Sequence, residues 1–156
     1  MDMGKGAPNR KIVMLSCNVD DMTGEEIGFA REMMMKSGAM EFYTIPVQMK
    51  KSRPGFEIRV ISKPCDADNM AALLLKHTST FGVRMQELSA YALERRSQVI
   101  HTPFGDVRRV IGEGYGVLKE KLENDDVCAY AEKAGVDRKT AERQIYALLE
   151  AEKQER

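Results

Sequence analysis

The sequence predicts an α+β fold built on a ferredoxin-like βαββαβ unit, and three stretches carry the prediction. "KIVMLSCNV" (11 to 19) is a nearly continuous apolar run of strand length, as a strand covered on both faces requires. Thr23 and Glu26 form a capping box ahead of Ile27, Ala30, Met33 and Met34, which repeat at helical spacing. "FEIRVIS" (56 to 62) alternates, with Phe56, Ile58 and Val60 on one face, and a second helical pattern follows it.

Residues 1 to 10, rich in Gly, Pro, Asn and Lys and without a period, are expected to form a flexible arm. The central strand covers 11 to 19, and the first helix runs over about 24 to 37 with Gly38 as its stop. "EFYTIPVQM" (41 to 49) is β-rich, and Pro46 argues for an edge strand or a bulge. "KKSRPG" is the turn to the next strand. Asp66 is placed to cap the second helix, whose Met70, Leu73, Leu74 and His77 share a face and which stops near Thr78. A further strand begins at Val83 and completes a ferredoxin-like domain over residues 11 to 97. From Gln98 "VIHTPFGDVRRVI" reads as two extended segments around the Pro103-Phe104-Gly105-Asp106 turn, followed by Gly-Tyr-Gly and the extended "VLKEKL". Two short helices follow. One turns Val127, Tyr130, Ala131 and Ala134 inward and ends at Gly135; the other, capped by Asp137, turns Ala141, Ile145, Leu148 and Leu149 inward, and the tail "EAEKQER" frays. Residues 98 to 156 are thus a β-hairpin extension with a small helical appendage.

Composition narrows the function classes. Twenty-four basic and 24 acidic residues cancel, which removes the bulk basic field of nonspecific nucleic-acid binders, and the strands lack the aromatic pattern of RNA recognition motifs. Apolar runs are far below a membrane span and "MDMGKGAPNR" lacks a signal-peptide core, so the expectation is a cytoplasmic protein away from the membrane. Cys17, Cys65 and Cys128 are odd in number and scattered, and read as small buried hydrophobes. His77 reads as a partly buried helix residue and His101 as alone on its strand, so neither a catalytic triad nor a histidine metal cluster is expected.

The remaining signal is charge. "NVDDMTGEEIGF" (18 to 29) crowds Asn18, Asp20, Asp21 and Glu25 into one strand-to-helix corner, where a helix cap needs only one such side chain. A hard divalent cation would make adjacent carboxylates tolerable, with other positions left to water and phosphate oxygens. By spacing alone the plainer alternative weighs more, a solvated acidic helix N-terminus favoured by the helix dipole. "QMKKSRPG" (48 to 55) clusters three cations on a turn, and "KHTSTFGVR" (76 to 84) sets three hydroxyls, a glycine and an arginine after a helix. Each has phosphate-binding chemistry, and each has a plain alternative as a solvated turn or a Ser/Thr-rich linker. Together the segments supply cation ligands and anion ligands in one small domain.

In this order and approximate spacing, "NVDDMTGEEIG", "PVQMKKSRPG", "TSTFGVR", "HTPFGDVR" and "KLENDD" resemble the C-terminal domain of the LarC family of nickel-pincer cofactor biosynthesis proteins. The resemblance covers about residues 11 to 136 and reverses the odds on the acidic corner. It implies CTP-dependent nickel insertion into pyridinium-3,5-bisthiocarboxylic acid mononucleotide, giving the cofactor of lactate racemase. It also implies that this part binds CTP with Mg²⁺ or Mn²⁺, nickel being the inserted metal. Carried over by position, Asp20, Asp21 and Glu25 are the implied metal ligands, and Lys50, Lys51, Arg53, Thr78, Ser79, Thr80 and Arg84 the implied triphosphate ligands. Lys121, Glu123 and Asp126 form a third charged motif, implied to hold nucleotide or pincer substrate.

The chain departs from the family in lacking a histidine-rich N-terminal domain, a proline in "KLENDD", and the usual place of the second basic residue in "VRRVI". A separate nickel-supplying N-terminal domain is therefore an expected partner, and a homo-oligomer is expected because small ferredoxin-like units leave a sheet face or edge to cover. The alternative is a noncatalytic ferredoxin-like nucleotide- or anion-binding or assembly module.

Overall fold

The computed structural model of the chain describes residues 7–154. Residues 1–6 of the expected arm and the last two of the expected fraying tail lie outside the described residues. The arm's inner end is not free: Asn9 N donates to Ala90 O at 3.2 Å, and the first strand already begins at Arg10. Two compact units divide between Tyr91 and Ala92.

The first unit runs β1 (Arg10–Val19), α1 (Gly24–Lys36), β2 (Glu41–Met49), β3 (Arg53–Ser62), α2 (Ala67–His77) and β4 (Arg84–Ala90). Its antiparallel sheet has the order β2-β3-β1-β4, the ferredoxin-like arrangement. β1 is central, hydrogen-bonded along both edges, but it is not covered on both faces: Val13, Leu15, Cys17 and Val19 are buried while Ile12, Met14 and Asn18 on the other face are half-buried. Pro46 sits on the edge strand β2. Val13, Leu15, Cys17 and Val19 pack with Ile58, Val60, Met34, Met70 and Leu74 in a single core.

Helix α1 starts on the expected capping box. Glu26 N donates to Thr23 Oγ1 at 3.2 Å, and Thr23 N donates to Glu26 Oε2 at 2.7 Å. That backbone bond also holds the Glu26 carboxyl below the usual carboxylate range. Gly38, with φ 97°, follows the Ser37 C-cap. Helix α2 starts differently from the expectation: Asp66 makes no side-chain cap bond, because a short 3₁₀ turn over Pro64–Asp66 leads directly into the helix. Cys65, on that turn, is exposed rather than buried.

The second unit is a three-stranded antiparallel meander, β5 (Glu94–Thr102), β6 (Gly105–Gly114) and β7 (Val117–Leu122), followed by α3 (Asn124–Ala134) and α4 (Arg138–Gln154). Strand β5 begins before Gln98, where the pattern changes, because the exposed Glu94–Ser97 stretch carries no apolar alternation. Gly135, with φ 66°, ends α3, and Asp137 caps α4 by accepting from Lys139 N and Thr140 N at 3.0 Å each. Helix α4 is not short: it spans 17 residues and continues into the stretch expected to fray. Ile100, Val107, Leu122, Val127, Tyr130, Ala141, Ile145 and Leu149 form this unit's core.

Candidate functional site

The chain leaves β1 at Val19 and enters α1 at Gly24, so residues 20 to 23 are the corner between them. Strand β3 lies against that corner at Gly55. A Cβ there would stand 2.5 Å from Val19 O, 2.8 Å from Met49 Sδ and 3.3 Å from Asp20 Cα, so only glycine allows the approach. The basic turn is tighter than expected. Lys51 and Ser52 both take left-handed backbone, with φ 60° and 56°, and Arg53-Pro54-Gly55 already pair with β2. Left-handed conformations at two successive non-glycine residues cost on the order of 1 kcal/mol each, and such strain concentrates at functional sites.

The compact hairpin brings Arg53 to the acidic corner, where Arg53 Nη1 donates to Asp20 Oδ2 at 3.3 Å. The hydroxyl segment reaches the same corner from the end of α2: Ser79 Oγ donates to Asp21 Oδ1, and Ser79 N lies 3.4 Å from Met22 Sδ. Arg84 opens β4 beside β1, opposite Ser16 in register, and donates to Asn18 Oδ1 and, at 3.3 Å, to Ser16 Oγ. Three contacts therefore tie Asn18, Asp20 and Asp21 to Arg84, Arg53 and Ser79, which stand 33 to 66 residues away along the chain.

Asp21, Glu25 and Glu26 line an open cleft of about 550 Å³ with Met22, Phe29, Lys76, His77, Thr78 and Ser79. The ring of His77 meets Phe29 edge-on, with centroids 5.6 Å apart, and this half-buried histidine is part of the cleft wall. Asp20 is not in that lining and faces Arg53 instead. Among the described residues, no three Asp, Glu, His or Cys side chains are grouped to hold a metal ion by themselves. With Glu26 taken by the capping box, the Asp21 and Glu25 carboxylates on this cleft suit an ion such as Mg²⁺, which takes one or two and fills its other positions with water and phosphate oxygens.

The hydroxyl loop is bound to itself and to α2. Thr78 Oγ1 donates to Leu74 O at 2.7 Å and accepts from Thr80 N at 3.3 Å, while Thr80 Oγ1 donates to Gly82 O at 2.9 Å. Cys17 is buried beneath it; burial pushes its thiol up, partly offset by hydrogen bonds with Thr78 and Thr80. Lys50 and Lys51 are exposed on the hairpin.

Lys121, Glu123 and Asp126 belong to the second unit. Asp126 accepts from Arg108 N at 2.8 Å, Arg108 Nε at 2.8 Å and Arg108 Nη2 at 2.9 Å, and these bonds hold its carboxyl below the usual range. Lys121 is exposed at the end of β7, and Glu123 N, next to it, donates to Arg108 O at 2.8 Å. His101 is not alone: its Nδ1 lies 2.8 Å from Asp106 Oδ1. Sequence reasoning placed Asn18 in the corner without giving it a role and left out Ser16, Gly55 and Arg108 as site-shaping residues. Asn18, Gly55 and Arg108 stand inside the recognised motifs and were open to inspection, whereas the pairing of Ser16 with Arg84 depends on strand register.

Compared with known proteins, residues 2–141 match the family model described as nickel insertion protein. The pyridinium-3,5-bisthiocarboxylic acid mononucleotide nickel insertion protein of Staphylococcus saprophyticus is 36% identical over 121 residues, covering 77% of this chain and 31% of the relative. The protein of the same name from Lactiplantibacillus plantarum is 31% identical over 121 residues, covering 78% of this chain and 29% of the relative. The chain spans about a third of the length of these relatives. Among solved structures, the apo C-terminal domain of a cyclometallase involved in the synthesis of the NPN cofactor of lactate racemase aligns with a TM-score of 0.82 at 28% identity, covering 90% of this chain and 97% of that one.

Proposed function

The chain belongs to the nickel insertion protein family, and from that premise we propose that it is the CTP- and divalent-metal-binding domain of a CTP-dependent nickel chelatase, or cyclometallase. The substrate of the whole enzyme in this reading is pyridinium-3,5-bisthiocarboxylic acid mononucleotide, with nickel as the inserted metal. What supports it is the meeting of three segments at one corner through Asp20–Arg53, Asp21–Ser79 and Asn18–Arg84. Solvated turns and caps that had no common ligand would not need to converge.

In this reading Asp20, Asp21 and Glu25 would hold Mg²⁺ or Mn²⁺, Asp21 and Glu25 from the cleft and Asp20 from beside Arg53. The bound ion supplies charge neutralisation on the triphosphate. Arg53 and Arg84 present planar forks to phosphate oxygens, Lys50 and Lys51 act as point charges, and Thr78, Ser79 and Thr80 donate at short range. Asp126, fixed by Arg108, sets the β7-to-α3 corner on which Lys121 and Glu123 stand to meet nucleotide or pincer substrate. A nickel-supplying N-terminal domain and further copies of the chain complete the assembly, which works in the cytoplasm.

The test is calorimetric titration of the chain with CTP in Mg²⁺ or Mn²⁺ and again in EDTA, with ATP, GTP and UTP as controls. Metal-dependent binding selective for CTP is the expected result. Failure to bind any nucleotide would overturn the reading in favour of a noncatalytic anion-binding or assembly module.

A further inference from the structure

We infer that Phe81 is the stacking platform for the flat nitrogen-heteroaromatic ring of the ligand whose phosphates the corner binds, an inference that rests on the proposed function. Phe81 has a relative exposure of 105%, so its ring touches essentially nothing in its own chain. The neighbouring apolar Val83 packs against the core, so the loop turns one hydrophobe inward and holds the other out.

This exposure does not come from a slack loop. Thr80 Oγ1 both accepts from Gly82 N at 3.4 Å and donates to Gly82 O at 2.9 Å, closing a ring of bonds around the Phe81 backbone. The same loop is anchored to α2 through Thr78. Single exposed hydrophobes are ordinary on a protein surface; what sets Phe81 apart is that it is the most exposed large apolar side chain among the described residues and stands in an ordered loop beside the corner.

Its position indicates the ligand class. Two residues before Phe81, Ser79 is bound into the acidic corner, and three residues after it, Arg84 reaches Asn18. Three residues of extended chain span at most about 11 Å, a reach that a nucleotide covers between its phosphates and its ring. A free aromatic face suits a flat π system, and stacking on aromatic side chains tolerates different bases. A pyridinium ring adds its positive charge to the attraction. The shared chemistry is therefore a planar N-heterocycle joined to phosphate, found both in CTP and in a pyridinium mononucleotide.

The experiment compares the unmodified chain with Phe81→Ala and Phe81→Trp in calorimetric titrations with Mg²⁺. The ligands are CTP, nicotinic acid mononucleotide and inorganic tripolyphosphate. Phe81→Ala is expected to lose about tenfold in affinity for a ring-bearing ligand and nothing for tripolyphosphate, while Phe81→Trp keeps its affinity. Loss on CTP or on the pyridinium mononucleotide identifies which ring stacks. Equal affinity of Phe81→Ala and the unmodified chain for both ring-bearing ligands would overturn the platform and leave the CTP reading standing. So would an equal loss on tripolyphosphate, or a changed sedimentation coefficient on Phe81→Ala, which would make the ring a contact between copies. If the unmodified chain binds none of the three, both readings fall together.

Discussion

Two arginine–aspartate pairs in this chain show how differently the same chemistry can be used. In the second unit, Arg108 grips Asp126 with two of its three side-chain nitrogens and its own backbone N–H, at 2.8 to 2.9 Å. In the first unit, Arg53 touches Asp20 through a single nitrogen at 3.3 Å, from a hairpin held in left-handed backbone. The first pair uses both carboxylate oxygens and fastens the start of α3 to β6. The second leaves most of the guanidinium fork and a carboxylate oxygen uncommitted beside more carboxylates, hydroxyls and a second arginine. A short, bidentate pair whose carboxylate is used at both oxygens suits architecture; a long, monodentate pair in a crowd of unspent polar groups suits a place where a ligand fits.

The comparison depends on the corner being held where it is, so the largest effect is expected at Gly55. Gly55→Ala forces a methyl group into the Val19 carbonyl and Met49, and a loss of about 3 kcal/mol is expected in denaturant unfolding, together with loss of nucleotide binding. Asp126→Ala removes three charge-assisted bonds and is expected to cost about 2 kcal/mol, read in the same way. A pH series sharpens that result. The folded-state carboxyl of Asp126 titrates below the unfolded one, so its stabilisation is complete above the ordinary carboxylate range near pH ~4 and fades as pH falls through the lower folded value. The stability gap between the unmodified chain and Asp126→Asn should therefore be constant from neutral pH down to about 5 and close on further acidification.

The smallest stability effect belongs to the loose pair. A double-mutant cycle of Asp20→Asn and Arg53→Ala should give a coupling of no more than about 0.5 kcal/mol, yet each single change should weaken Mg²⁺–CTP binding tenfold or more. If the cycle instead returned a coupling as large as that of Arg108 with Asp126, the distinction between the two pairs would collapse.

Much of this was readable from residues, where the cause is local. The apolar run of β1, the Thr23–Glu26 box, Pro46 on an edge and Asp137 ahead of α4 each act within a few positions of themselves, and the structure follows them. Misreadings came where a neighbouring turn overrode a local preference. Asp66 has the chemistry of a cap but is drawn into helical backbone by the turn that begins at Pro64, and the basic hairpin closes through left-handed residues that sequence does not favour. Pairings such as Arg84 with Asn18, 66 residues apart, depend on strand register and have no local signature; motif resemblance named most of their members without saying who meets whom.

The three contacts that close the corner give it the character of an ion exchanger. Arg53 is engaged in part by Asp20, Arg84 by Asn18 and Ser79 by Asp21, so under the proposed function an arriving metal–triphosphate would exchange partners at these groups. In that reading the carboxylates would hold the metal and the arginines the phosphates, so each half of the exchange frees groups that the other half uses. Cooperation between metal and nucleotide would thus be written into the resting contacts of the chain, and free metal or free nucleotide would each meet a corner partly engaged with itself.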